Sequence, residues 1–343
     1  MRISFNIPTY NRAKYLKKNL DILTAQIKKL HKEDDVEINI SDNASTDETK
    51  KISEVCIEAN PQLHISYHRN EKNLEPDGNF ITAMHLANGE YSLLWGDDDY
   101  LKDDGLARIF DLVEYGDKND IQILLSSTSV YDKYGTFISE KYFLREDIDE
   151  LTVDFSDLTQ VRAYFFLLKD MGGMLSFISD VVYKTSIIHE IPFDEKFMGT
   201  HYAFLCYWWG WLAKGEKLHY SNKSFLKETV QYQPAYGYGV DRVMVDYKGY
   251  TLIADKFLYR TFKTDFLLAF QNLHKKLNVL YLVNGEKEKY QTLLIPKLRE
   301  CGVCSSEISE IHRFCATKSI LKLLVYSLAP TCIIDYLKKK KKR

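Results

Sequence analysis

The residues best suited to chemistry are Trp95-Gly96-Asp97-Asp98-Asp99-Tyr100-Leu101. Adjacent carboxylates at the end of an apolar run repel one another, and each raises its neighbours' pKa. A divalent cation removes that conflict. Mn²⁺ and Mg²⁺ prefer oxygen ligands, and Mg²⁺ commonly shares its shell with a substrate phosphate. Asp97, Asp98 and Asp99 are therefore candidates for metal and diphosphate binding; the plainer alternative is an acidic turn capping the next helix. A second cluster, Ser41-Asp42-Asn43-Ala44-Ser45-Thr46-Asp47, sets Asp42 and Asn43 among helix-capping residues. Asp42 is suited to accept hydrogen bonds from a nucleobase imide, with a ligand-free capping turn as the alternative. A third, Pro8-Thr9-Tyr10-Asn11-Arg12, combines a hydroxyl, an aromatic ring and a guanidinium, a set that fits stacking and phosphate contact.

These clusters are far apart in sequence, so secondary structure must bring them together. Ile3–Pro8, Val36–Ile40, His64–His68, Tyr91–Trp95 and Ile121–Ser126 read as strands, the first stopped by its proline. Between them, helical spacing runs from Tyr15 to Lys29, through Cys56 after the capping turn, from Asn79 to Ala87 and from Leu106 to Tyr115. This alternation predicts an α/β fold, a mostly parallel sheet with helices on both faces. Ligands in such sheets sit outside the carboxyl ends of the strands. All three polar clusters follow strand ends, so they should converge on one edge. From about Val130 the pattern is mixed. Gly172–Tyr183 leads by glycines into a strand, Phe204–Leu212 is an aromatic-rich helix, and Tyr247–Leu282 and Lys287–Leu337 look helical.

Composition bounds the function. With 343 residues, 45% hydrophobic and 27% charged, the chain is neither disordered nor collagen-like. A formal charge of −2 gives no global basic field for nucleic acid. Setting aside the six cations Lys338–Arg343 turns that −2 into −8. Leu321, Leu323, Leu324, Val325, Leu328, Ile333 and Ile334 precede this basic tail. Residues 320–343 thus suit peripheral contact with an anionic membrane, or a packed helix with a solvated tail. Six cysteines are too few for a disulfide scaffold, and Met1-Arg2 leads into no apolar targeting core. A cytoplasmic location is expected. Cys301, Cys304, His312 and Cys315 have zinc-compatible types, but one Cys-x-x-Cys is a weak signal and incidental thiols fit as well.

Together, Ile7-Pro8-Thr9-Tyr10-Asn11-Arg12, Ser41–Asp47 and Gly96-Asp97-Asp98-Asp99 resemble the three signature segments of family 2 glycosyltransferases with the GT-A fold. The resemblance covers residues 1 to about 220 and rests on three motifs in the right order and spacing. The glycine-led Ser176-Phe177-Ile178-Ser179 segment is similar to the abequosyltransferase-like branch of bacterial surface-polysaccharide enzymes.

The resemblance implies a GT-A domain over residues 1–230, with a donor half at about 1–130 and an acceptor half at about 131–230. Residues 231–343 would hold Tyr232–Tyr238, a lid loop or an ordinary packed loop, and a helical region ending in the basic tail. It implies that Pro8, Thr9 and Tyr10 line the nucleotide pocket, that Asp42 contacts the base, and that Asp97–Asp99 hold ribose and Mn²⁺ or Mg²⁺. Which aspartate meets the metal stays open. The donor would be a nucleotide-diphosphate sugar, UDP-type in the first place, and the acceptor a glycan or lipid-linked hydroxyl. Many relatives carry a catalytic acid where this chain has His201, a residue type suited either to a general base or to a structural or substrate-orienting role; Asp180 is the second candidate, Asp194 and Glu195 the third. Inversion at the sugar C1 would follow from one in-line displacement. Gln231–Ala235 lacks the Arg-Trp of processive relatives, so single-sugar transfer is expected. A sugar nucleotidyltransferase and a non-catalytic, transferase-like assembly partner are the alternatives.

Overall fold

The computed structural model describes residues 1–132, 134–229, 240–258 and 263–270, and beyond them 273, 288, 292–293, 295–300 and 305. The expected lid loop, the zinc-compatible set and the apolar stretch with its basic tail lie outside the described residues.

Strands and helices alternate through the first third of the chain. They are β1 (Ile3–Thr9), α1 (Ala13–Lys29), β2 (Val36–Asp42), α2 (Thr49–Ala59), β3 (His64–Arg69), α3 (Glu75–His85), β4 (Tyr91–Leu94), β5 (Tyr100–Leu101), α4 (Gly105–Asn119) and β6 (Ile123–Ser126). There follow β7 (Thr128–Tyr131), β8 (Phe137–Lys141), β9 (Glu150–Asp154), α5 (Leu158–Leu167), β10 (Val181–Lys184), α6 (Ile187–Glu190), α7 (Leu205–Leu212), β11 (Lys217–Ser221), β12 (Leu226–Thr229) and α8 (Val240–Phe257). Gly172–Tyr183 is less regular than its pattern predicts: two short 3₁₀ turns, Met171–Met174 and Ile178–Asp180, precede β10.

The main sheet has eight strands in the order β3-β2-β1-β4-β10-β6-β11-β9. β3, β2, β1 and β4 are parallel, β10 runs against both its neighbours, and β9 is antiparallel to β11. The second sheet, β5-β12-β7-β8, has four strands. All seven residues of β1 are buried, as a central strand covered on both faces requires. Helix α1 buries Leu16, Leu20, Leu23 and Ile27 at helical spacing, and with them the polar Asn19.

The chain divides into two compact units. The first comprises Met1–Pro234 and Lys248–Phe270, the second Ala235–Tyr247 and Gln271–Arg343. Every site residue discussed below belongs to the first.

β1 does not stop at Pro8. It pairs with β2 as far as Thr9–Asp42, whereas its pairing with β4 ends at Asn6–Leu94. Trp95 N–H donates to Asn6 O at 2.9 Å, and there β4 leaves the ladder. Thr9 O, by contrast, accepts from Asn43 N–H on the β2 side, 2.9 Å away. Alternation therefore turns Pro8 to the side where β4 has left, and its missing N–H costs no bond. The divergence of β1 and β4 opens the notch in which the site lies.

Candidate active site

The carboxyl ends of β1, β2 and β4 meet at that notch, and the three polar clusters meet with them. Thr9 Oγ1 donates to Asp97 Oδ2 at 2.7 Å. Arg12 pairs through Nε with Asp97 Oδ1 at 2.8 Å and through Nη2 with Asp98. Its guanidinium also lies 4.7 Å from the Tyr15 ring centre. Asn11 Oδ1 accepts from Thr46 N–H at 2.7 Å, and Ser45 Oγ accepts from Asn11 N–H at 2.9 Å, joining the first loop to the second. Asp47 accepts from Ala13 N–H at 3.0 Å, so the β2–α2 loop caps α1. Tyr10 is exposed.

The three aspartates point differently. Asp99 turns inward, where Ser179 Oγ donates to its Oδ2 at 2.6 Å and itself accepts from Gly96 N–H at 2.8 Å. Asn19 fixes the turn from below: its amide donates to Gly96 O at 2.8 Å and Asp99 O at 2.9 Å, and its oxygen accepts from Trp95 Nε1 at 3.0 Å. Gly96 has no room for a side chain, because a Cβ there would stand 2.5 Å from Asp99 Oδ2. Burial, relieved by Arg12 and reinforced by Asp98, pushes the Asp97 carboxyl up to about 7. Burial and then Asp98 raise Asp99 well above the carboxylate range. Burial works against the Arg12 charge, but Asp97 and Asp98 outweigh it and hold the guanidinium protonated.

Among the described residues, no three His, Cys, Asp or Glu side chains converge as a ready metal cage. The aspartate turn nevertheless fits a cation, since Arg12 already places one on Asp97 and Asp98. Mg²⁺ needs only one or two carboxylates when substrate phosphates and water complete its shell.

Asp42 is fully buried at the end of β2. Ser45 N–H donates to Oδ1 at 2.9 Å, Tyr67 Oη donates to Oδ2 at 2.6 Å, and Arg69 Nε lies 3.6 Å from Oδ2. Asn43 accepts from Leu74 N–H at 2.8 Å and donates to Asn73 Oδ1 at 2.8 Å, stitching β2 to the approach to α3.

His201 and Asp180 occupy different settings. His201 has φ 62°, a left-handed conformation costly for a side chain of its size. Asp77, buried in the first turn of α3, holds it there by accepting from His201 N–H at 2.9 Å and Ala203 N–H at 3.1 Å. Asn11, Ala44 and Glu75 also have positive φ, so strained backbone gathers in the loops around the notch. Asp180 follows Ser179 and is fully buried. Thr128 Oγ1 lies 3.4 Å from its Oδ2, and its Oδ1 has no hydrogen-bond partner. Burial lifts its pKa well above the ordinary value against the pull of Lys141. Lys141 in turn lies 3.5 Å from Glu228 and 3.7 Å from Asp170. Asp194, the third acid, caps a 3₁₀ turn and pairs with Lys256.

Three supporting residues escape motif reading: Asn19, Asp77 and Lys141. Asn19 carries a signal, a polar residue in the apolar stripe of a helix. Asp77 lies in the polar run Glu75-Pro76-Asp77-Gly78-Asn79. Lys141 carries none, being one cation on an edge strand.

Comparison with known proteins agrees with this geometry. The chain is 37% identical over 202 residues to abequosyltransferase RfbV of Salmonella typhimurium, covering 59% of this chain and 58% of that one. It is 25% identical over 224 residues to the GalNAc(5)-diNAcBac-PP-undecaprenol beta-1,3-glucosyltransferase of Campylobacter jejuni, covering 65% of this chain and 63% of the relative. The match thus spans less than two thirds of either curated relative. Among solved structures, S. aureus TarS 1-349 in complex with UDP-GlcNAc superposes with TM-score 0.57 at 18% identity, over 88% of this chain and 79% of that one. The mannosyltransferase PcManGT from Pyrobaculum calidifontis, in complex with GDP-Man and Mn²⁺, superposes with TM-score 0.55 at 15% identity, over 94% and 87%. At such identities these two speak for the fold alone. Residues 4–167, just under half of the chain, match the family described as Glycosyl transferase family 2, and the strand-end site and the shared architecture agree with that match.

Proposed function

We propose that the chain transfers a single sugar, with inversion, from a nucleotide-diphosphate sugar to a hydroxyl of a glycan or lipid-linked acceptor in bacterial surface-polysaccharide synthesis. The observation that carries this reading is the union of Thr9, Arg12 and the aspartate turn in one notch at the strand ends. Tyr10 and the Asp42–Asn43 loop flank the base, Pro8 and Thr9 line the nucleotide, and Arg12 is within reach of phosphate. Asp98, with Asp97 beside it, would hold Mn²⁺ or Mg²⁺, which when bound neutralises charge on the leaving diphosphate. Asp99 is the buried acid that keeps the turn in shape.

His201 is our choice for the base that accepts the acceptor's hydroxyl proton. It is only partly buried, and strained backbone held by a dedicated carboxylate is the mark of a placed group. Asp180, fully enclosed, acts from behind the site as a positioning residue. The setting would be the cytoplasmic side of the membrane, with residues 320–343 touching anionic lipid; no helix among the described residues is long and apolar enough to cross a bilayer.

The test is calorimetry of the purified chain with UDP, GDP, CDP and dTDP in Mn²⁺, repeated with EDTA. One diphosphate should bind tightly and only with metal, and its sugar conjugates should then be consumed. Absence of binding to all four, with and without metal, would sink the donor-site assignment.

A further inference from the structure

The four-stranded sheet has two unlike faces. One carries Thr128, Lys141 and Glu228 and looks toward Asp180. The other carries Ser129, Tyr131 and Lys227, cross-strand neighbours on one side. This second face walls an open groove of about 490 Å³. Lys29 at the end of α1, Lys102, Arg108 and Lys227 line it with Asp103 and Asp104, and Glu140 on the same face lies 3.7 Å from Lys102. Asp103 holds Lys227 at 2.8 Å and Asp104 holds Arg108 at 2.8 Å, which fixes those cations along the groove.

Beside the groove the β7–β8 hairpin projects apolar rings into solvent. Tyr134 is 80% exposed, Phe137 51% and Ile138 54%. Asp132 Oδ1 accepts from Tyr134 N–H at 2.9 Å and Thr136 N–H at 2.8 Å, and Gly135 supplies φ +84°. Tyr131 joins tip to groove, its ring 5.6 Å from Phe137 and 5.6 Å from the Lys227 ammonium. A tip of aromatic and branched side chains next to a groove lined by four cations matches the two layers of a membrane surface, acyl boundary and anionic headgroup.

We propose that this hairpin and groove dock the protein on an anionic lipid bilayer, the hairpin entering the headgroup boundary and Lys29, Lys102, Arg108 and Lys227 meeting lipid phosphates. The surface differs from the terminal basic tail and involves none of the donor-site residues, so donor binding in solution tests the transfer reading separately.

The experiment uses the full chain and vesicles of phosphatidylcholine with and without phosphatidylglycerol. The four native tryptophans are buried, at most 7% exposed, so Phe137→Trp adds one reporter at the tip. On phosphatidylglycerol vesicles its emission should shift to the blue and be quenched by brominated lipid, relative to the unsubstituted chain. Tyr134→Ser/Phe137→Ser/Ile138→Ser, at positions too exposed to disturb the core, should weaken sedimentation with vesicles more than about tenfold. Lys29→Gln and Lys227→Gln should each weaken it about fivefold. The proposal is overturned if nothing sediments, if the tip reporter stays unquenched on bound protein, or if binding survives the hairpin variant and vanishes when the six terminal cations become glutamine. It is equally overturned if light scattering shows the hairpin joining two copies of the chain instead.

Discussion

The region around β1 and β2 and the region around α5 and α7 are built on different principles. Around β1 and β2 one of the two buried sheet faces is polar: Ser4 donates to Glu37 at 2.5 Å, Asn39 donates to Asn6 at 3.0 Å, and Ser66 donates to Asn39 at 2.7 Å. Around α5 and α7 the interior is aromatic instead. The ring centres of Phe204 and Trp208 lie 4.9 Å apart, as do those of Trp209 and Phe266, and Tyr250 stacks on Phe270 at 5.1 Å. Hydrogen bonds are directional and set loop atoms within tenths of an ångström. Aromatic packing supplies bulk stability and tolerates changes of shape that keep volume. The first region is suited to a ligand whose polar groups never vary, the second to a scaffold whose rim can be re-cut.

That contrast makes unequal demands on substitutions. The largest loss should come from His201→Asn, with turnover down about 10²–10⁴-fold and donor affinity intact, read as kcat against the donor Kd. Equal loss of donor binding would place His201 with the nucleotide instead. Trp209→Ala should act through the other principle, lowering stability by about 3–5 kcal/mol in denaturant unfolding while a folded fraction still binds nucleotide. Asp98→Asn should lower turnover about 10²–10³-fold, and EDTA should then make no difference to the diphosphate Kd. If EDTA still weakens binding in that variant, the metal is held elsewhere.

The smallest effect concerns Asp180. Burial lifts its pKa in the folded state, so the folded chain keeps a proton that the unfolded chain has lost. Stability from this group is therefore full below the ordinary carboxylate pKa, ~4, and falls as pH rises toward the lifted value. Asp180→Asn should flatten that part of the melting-temperature profile, gaining on the parent as pH increases. A parallel profile would show that Lys141 already compensates the charge.

Much of the region from β1 to β4 was legible because its logic is local. Ile3–Thr9, Val36–Asp42 and Tyr91–Leu94 are apolar runs ended by polar loops, and strand ends in a parallel sheet share an edge. What could not be read was the reach of single side chains. That Asp77 would hold the backbone at His201 depends on contact between residues 124 positions apart. Asp42 shows the same limit: its type suggests ligand contact, while its partner Tyr67 emerges only when β2 and β3 pair. Periodicity failed at Gly172–Tyr183, where two 3₁₀ turns replace a longer strand. A Cβ at Gly172 would stand 2.3 Å from the Phe143 ring, so that segment follows close packing rather than pleat.

The Asn19 amide spans the whole aspartate turn, gripping both its ends and the Trp95 indole from a seventeen-residue helix. Mechanically this welds floor to pillar. The backbone at residues 96–99 has no travel of its own, because shifting it means tearing two carbonyls from Asn19 or dragging α1 along. Whatever adjustment a ligand requires must come from rotation of the Asp98 carboxylate and the Arg12 arm, motions on the scale of side-chain hops rather than loop closure. The site is a fixed seat with jointed arms.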